Sequence, residues 1–353
     1  MAVSRTRHSL VFSRRLLTSA ALVGLALLLV ASLYLGSKDL SIGEVTSILM
    51  HGPHPSTQSG INAEQSGIIW DLRVPRTLLA VITGAALAMA GAIAQSWTRN
   101  PLADPGIIGV NAGASFAVAA ALTLGWATTV GERTIVGLVG AAIAAVIVLL
   151  ISRVSRNPLT LVLVGVGVTF ALQAATNMLS LYSSDTLEGL RRWTVGSTAG
   201  RGMEDVALAA LGLALGALCG ALAARPLDLL AMGEDSARSL GSSPTRTRLL
   251  AAAAVIILAG SATATVGLVT FVGFAVPHLL RPLTGPALTR LLLPTGIVGG
   301  AAVLLADIVG RFVLQPNELE MSIVLAIVGA PVMILAVRRK KSSPNSNDAE
   351  LAI

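Results

Sequence analysis

Residues 249–280 read LLAAAAVIILAGSATATVGLVTFVGFAVPHLL, 32 consecutive positions without Asp, Glu, Lys or Arg. A hydrocarbon core of about 30 Å needs about 20 helical residues at about 1.5 Å each. The run is therefore too long for one ordinary span and rather short for two, with Gly260, Gly267, Gly273 and Pro277 as natural breakpoints. Its reading decides the fold, because eight other charge-free stretches stand along the chain, at 16–37, 77–98, 105–131, 134–152, 157–184, 206–224, 291–306 and 321–337. One crossing gives nine spans; two give ten.

The composition already confines the chain to a bilayer. Of its 353 residues 54% are hydrophobic and 12% charged, against about 25% charged in a soluble domain. Disordered chains are poor in apolar residues, so disorder is excluded as well. Aromatics are only 3% and glycines number 35, a mixture rich in small residues that lets helices approach closely in lipid. That favours an all-α polytopic bundle over a barrel. The lone Cys219 allows no intramolecular disulfide. A net charge of +7 is read as topology before nucleic-acid binding, and no nucleic-acid partner is expected.

Lys and Arg are retained in cytoplasmic loops, so they arbitrate between nine and ten. With the N-terminus inside and 249–280 crossing twice, 17 of the 25 Lys and Arg lie inside. Lys38, Arg73, Arg76, Arg133, Arg191, Arg192, Arg201 and Arg311 lie outside. A single crossing flips everything after residue 280 and leaves 12 inside against 13 outside. The expectation is ten transmembrane helices in the cell membrane with both termini cytoplasmic: a tail at 1–15, a ten-span domain at 16–337, and a polar tail at 338–353, with Pro344 and Asn345, expected to be disordered. A signal peptide is the other reading of Arg14-Arg15 and the following apolar run, opposed by the run's length and the lack of a small-x-small cleavage site. Three longer connections, 38–72 and 183–205 outside and 225–248 inside, offer surfaces to partners.

Catalytic chemistry is missing. The only lysines, Lys38, Lys340 and Lys341, follow no phosphate-binding glycine loop. Among His8, His51, His54 and His278 there is one close pair, in a Pro-rich external loop, so neither a closed zinc site nor a haem site is expected. No serine occupies a Gly-x-Ser-x-Gly elbow. No cofactor or metal is implied. Ionisable groups deep in lipid would point to an ion-coupled pump, and the one candidate is Asp307, four residues before Arg311, on the same helix face and able to pair with it.

From Arg73 the chain runs RVPRTLLAVITGAALAMAGAIAQ, then TRNPLADPGIIGVNAGA at 98–114, AMGEDSARSLG at 231–241, VGFAVPHLLR at 272–281, LLADIVGR at 304–311 and ELEMSIVLAIVGAPV at 318–332. Taken in order, these motifs closely resemble the FecCD family of ABC importer permeases, which carry iron-siderophore complexes, haem or cobalamin. The resemblance covers nearly the whole chain outside its tails. It implies ten spans, two permease subunits forming a homo- or heterodimer, two ABC ATPase subunits that hydrolyse the nucleotide, and an extracytoplasmic solute-binding protein.

Each motif also has a physical reading. Asn100-Pro101 and Asp104-Pro105 combine helix breakers with capping residues, so a short inside loop can end one span and start the next. Arg156-Asn157-Pro158-Leu159 echoes Arg99-Asn100-Pro101-Leu102. In 225–248, Gly233, Ala237 and Gly241 recur every four residues beside Glu234, Asp235, Arg238 and Leu240, as if to make a smooth helix face for another protein's groove. The resemblance makes this the segment that couples to the ATPase, an interfacial helix on lipid being the bland alternative. It likewise implies that Arg73, Arg76 and Arg311, which defy the positive-inside bias, receive acidic residues of the binding protein; snorkelling to headgroups is the alternative. Thr169, Gln173, Asn177 and Ser180 line one side of the fifth span, where lipid is excluded for them and the family places the translocation pathway, against plain interhelical hydrogen bonding. The expected function is the permease subunit of an ATP-driven importer, for ferric siderophores first and haem or cobalamin second. A secondary transporter or channel without an ATPase is the competing class, and a membrane enzyme a distant third.

Overall fold

A computed structural model of the chain describes residues 2–36, 38, 40–53, 62–127, 129–152, 158–314 and 317–341. They form an all-α bundle of fourteen α-helices: α1 (Ala2–Tyr34), α2 (Ile42–His51), α3 (Ala63–Gly67), α4 (Val74–Thr98), α5 (Val110–Thr123), α6 (Val130–Ser152), α7 (Pro158–Tyr182), α8 (Ser184–Thr194), α9 (Met203–Leu230), α10 (Glu234–Ser239), α11 (Pro244–Val266), α12 (Val272–Thr284), α13 (Leu288–Val313) and α14 (Met321–Lys341). A π-helical turn, Ile68–Arg73, joins α3 to α4, and a 3-10 turn, Pro105–Ile108, precedes α5. Seven helical stretches are long and apolar enough to cross a membrane: Leu16–Tyr34, Ala63–Thr98, Val130–Ile151, Val162–Tyr182, Met203–Leu230, Pro244–Val266 and Leu288–Val313. The chain is thus a multi-pass membrane protein. The other expected spans fall on the shorter α5 and α12 and on α14.

The run at 249–280 is broken. α11 stops at Val266 because Gly267 adopts φ +84, and α12 begins after Phe271, itself at φ +68. Unwound backbone at membrane depth persists only where protein covers it, and here the segment 193–198 does so. The Ser197 N–H donates to the Val266 carbonyl at 2.8 Å. Gly196 and Gly267 each lie against backbone carbonyls, those of Leu268 and Trp193, in space no β-carbon could share. Phe271 is tolerated in the left-handed region, rare for a bulky residue, with Gly329 of α14 making room for its side chain.

α4 is the axis of the bundle, buried along most of its length. Its small face carries Gly84, Ala88 and Gly91. Gly84 packs onto the Gly299 carbonyl of α13, and Gly91 onto the backbone of Gly273 in α12. Such approaches let dispersion and weak Cα–H contacts act between main chains where lipid supplies no hydrophobic drive. α14 runs on to Lys341, so the first four residues of the expected disordered tail are helical, and 342–353 lie outside the described residues. His54 and Arg153-Asn157, including part of the Arg-Asn-Pro-Leu echo, lie outside them too.

Replacing Gly299 by valine should force α4 and α13 apart at about 1–3 kcal/mol, the usual cost of overpacking, read as an earlier thermal transition in detergent. Gly24, with open space around it, is the control; equal shifts at both sites would discount the close crossing.

Candidate functional site

At one end of the bundle three arginines and two carboxylates converge from the π-helical turn, α4, α13 and the loop after α13. Arg76 donates from Nε to both oxygens of Asp307, at 2.9 and 3.1 Å, and from Nη1 to Glu318 at 2.6 Å. Arg311, one turn beyond Asp307, donates to the same carboxylate at 2.5 and 3.1 Å. Its remaining donors reach the Ser32 and Leu35 carbonyls at 2.8 Å each and the Ser32 hydroxyl at 3.0 Å. Arg73 donates to the carbonyls of Leu33, Tyr34 and Lys38, with Gly36 leaving room for its guanidinium. The last carbonyls of a helix have no partner within it, and here Arg73 and Arg311 cap those of α1. The Thr198 hydroxyl completes the shell of Asp307 at 2.8 Å.

The pair expected from the spacing of Asp307 and Arg311 is present. Nothing local announces that Arg76, 231 positions away, shares the same carboxylate. Arg73 and Arg311 are buried, at 5% and 1% exposure, and the Arg76 side chain keeps 15%. All three guanidinium groups are engaged within the chain.

At the opposite end lies 225–248. Arg76 and Arg99 bracket most of α4, so the two ends stand about 35 Å apart at about 1.5 Å per residue. Glu234 bonds Arg238 at 3.2 Å and also pairs with Arg248. The helix α10 closes in a Schellman motif: Gly241, at φ +79, donates to the Arg238 carbonyl, and Ser242 donates to that of Ala237. Ala237 is fully buried. The Gly-Ala-Gly recurrence is therefore not one smooth outward face. Gly233, at φ +113, starts the helix, Gly241 ends it, and Ala237 packs inward. Asp235, Arg238 and Leu240 face outward.

Two further contacts tie this end to the bundle. The Arg99 guanidinium reaches the terminal carbonyl of α9 at Leu230. Asp228 accepts from the N–H groups of Leu288 and Thr289 and from the Thr289 hydroxyl, at 2.6, 3.2 and 2.8 Å. It serves as the N-cap that Ala287, with no side-chain acceptor, cannot supply. The loop at 100–105 behaves as its breakers imply. Asn100 accepts from the Leu102 N–H, and Asp104 accepts from that of Gly106. Burial pushes the Asp104 carboxyl above its ordinary value, opposed by the Gly106 N–H.

Of the four polar residues of the fifth expected span, Gln173, Asn177 and Ser180 line one depression of about 430 Å³ together with α8; Thr169 lies further along α7, outside its lining. The Gln173 amide donates to Asn177 at 3.2 Å, and Ser180 donates back to the Thr176 carbonyl. Little of α7 is buried, and Leu163, Phe170 and Leu181 stand exposed beside these amides.

The model of the FecCD transport family matches residues 24–339. The chain belongs to the FecCD transport family. It is a multi-pass permease of the ATP-binding-cassette type, and the family match spans both polar ends and α7. It is 38% identical to the ferric enterobactin transport system permease protein FepD of Escherichia coli (strain K12) over 91% of this chain and 95% of that one. It is 32% identical to the iron-uptake system permease protein FeuB of Bacillus subtilis (strain 168), over 94% and 97%. A solved structure described as an inward-facing conformation of a metal-chelate type ABC transporter superposes with a TM-score of 0.80 at 28% identity, covering 91% of this chain and 98% of that one.

Removing one partner of a buried ion pair costs about 3–5 kcal/mol, whereas an exposed pair contributes about 1 kcal/mol or less. In this FecCD permease Asp307→Asn should therefore destabilise far more than Glu318→Gln, whose carboxylate is more open. Thermal unfolding in detergent measures the difference, and equal losses would deny Asp307 its bridging role.

Proposed function

We propose that this permease carries ferric siderophores across the cytoplasmic membrane, working as one of two permease subunits, with a pair of ABC ATPases below and a solute-binding protein above. The observation that carries the reading is likeness along nearly the whole chain to FepD, named for ferric enterobactin, and to FeuB, named for iron uptake.

Ten crossings suit the path of the chain. α11 starts beside α10, and α13 starts on the Asp228 cap at that same end. The intervening chain must go out and return, which makes α12 a crossing. Its 13 residues reach about 20 Å, and the irregular residues 267–271 before it cover the remainder. α5, extended by its 3-10 turn, and α14 complete the ten, with 1–15 and 338–353 as cytoplasmic tails.

The coupling surface in this proposal is α10 with its caps: Gly233 and Gly241 fix its ends, Ala237 seats it, and Glu234, Arg238 and Leu240 meet the ATPase. The docking face for the binding protein is the end that holds Arg73, Arg76 and Arg311. Arg76, the least buried, meets incoming carboxylates, while Arg73 and Arg311 hold the platform. Thr169, Gln173, Asn177 and Ser180 face the route between two permease subunits, which removes exposed amides from lipid.

Reconstituted with ATPase and binding protein, the permease should accumulate radio-iron chelate only when ATP is present, and the lone subunit should accumulate none. ATP-independent accumulation would favour the secondary-transporter class. Gly241→Val strains a left-handed cap by about 1–3 kcal/mol in otherwise open space. It should lower uptake per ATP hydrolysed several-fold with membrane insertion intact. Arg76→Glu should weaken binding-protein docking, with the wild-type affinity falling as salt rises; docking that ignores both charge and salt would remove Arg76 from that face.

A further inference from the structure

The depression between α7 and α8 carries a charge that the importer reading leaves unused. Its walls are two helix faces. Gln173, Asn177, Ser180 and Leu181 follow the spacing of one face of α7, and Leu187, Leu190, Arg191 and Thr194 that of one face of α8. Leu187 and Leu190 make an apolar floor, and the amides and Thr194 add polar groups. Among the described lining residues Arg191 is the one that is ionisable, Glu188 standing one turn back on α8 outside the lining. The Arg191 backbone carbonyl accepts from Val195 and Thr194, whereas its side chain stands exposed with no hydrogen bond or ion pair to any described residue. The contrast with Arg73, Arg76 and Arg311, whose donors are engaged, is plain. Gln173 gives one amide hydrogen to Asn177, and the Asn177 amide hydrogens point to no described partner. A guanidinium with planar N–H donors next to amide donors, over an apolar floor, suits an aromatic, oxygen-rich anion.

We propose that Arg191 is a charge-selecting residue of the translocation route, which with the Asn177 and Gln173 amides receives iron(III) chelates of net negative charge. The assignment rests on the importer reading and specifies its substrate class. Three catecholates contribute six negative charges against three on iron, leaving a complex of charge 3−; three hydroxamates leave a neutral one. A guanidinium in the wall of an open, partly apolar depression acts on the first and is indifferent to the second.

The test is equilibrium binding of two probes, a ferric tris-catecholate and a neutral ferric tris-hydroxamate, to the permease–ATPase complex in nanodiscs. Arg191→Gln should weaken the catecholate complex about tenfold and leave the hydroxamate complex within about twofold. Arg191→Lys, which keeps charge but loses the fork, should fall between wild type and Arg191→Gln for the catecholate only. Catecholate binding by the wild type should weaken as salt rises. Equal effects on both probes, no effect on either, or a wild type that does not bind the catecholate would overturn the inference. ATP-driven uptake by the complete wild-type importer, measured alongside, separates the two levels: failure to take up either chelate sinks the importer reading. Uptake without charge discrimination at Arg191 sinks only this one.

Discussion

The backbone of α4 meets the backbones of α12 and α13 with only glycine hydrogens between them, and the rest of the bundle is arranged around that contact. Lipid offers helices no hydrophobic reason to associate, so close approach at Gly84 to Gly299 and at Gly91 to Gly273 has to hold the centre. With the axis fixed, the other helices can be less buried, and α1 and α7 are nearly bare. Those bare surfaces are where lipid or a second subunit must sit.

Around this axis the polar residues segregate to the ends. The network at one end sets Arg76 and Arg311 against the carboxylates of Asp307 and Glu318 and caps the end of α1 with Arg73 and Arg311, so burying charge there removes unsatisfied carbonyls instead of adding them. The opposite end uses the same economy of groups: a side chain from elsewhere completes the terminus of a helix, Arg99 for α9 and Asp228 for α13. Between the two ends the buried side chains are mostly apolar, with hydroxyls such as Thr83, Ser115, Ser261 and Thr295 set among them.

Long apolar runs were legible in the sequence because a bilayer demands them. The break at 249–280 was legible through the distribution of arginines, and Gly267 was among the residues named for it. The charge-free stretch at 105–131 contained α5, which is shorter than that stretch because residues 105–108 form a 3-10 turn. The local pair Asp307–Arg311 followed from its spacing, while Arg76 joined through folding alone. The capping by Arg73 left no mark at all, since backbone carbonyls have no sequence signature. The recurrence of Gly233, Ala237 and Gly241 misled because, in a helix of six residues, positions four apart are its two caps and its middle. For Asp228 a signal existed: Gly285-Pro286-Ala287 opens α13 without any capping side chain, so a partner from elsewhere was needed.

The Asp228 cap makes α13 a strut with one foot in each face of the membrane. Its first turn is bolted to the base of α9, next to α10, and its other end carries the carboxylate to which Arg76 and Arg311 are tied. A hydrogen-bonded helix hardly changes length, so displacement at the capped end must reappear at the Asp307 end as tilt or translation, or be absorbed at Pro294, where the ring breaks the ladder nearly two turns in from Leu288. The molecule thus contains a mechanical link between the two ends of its bundle, with a built-in elbow close to the Asp228 cap.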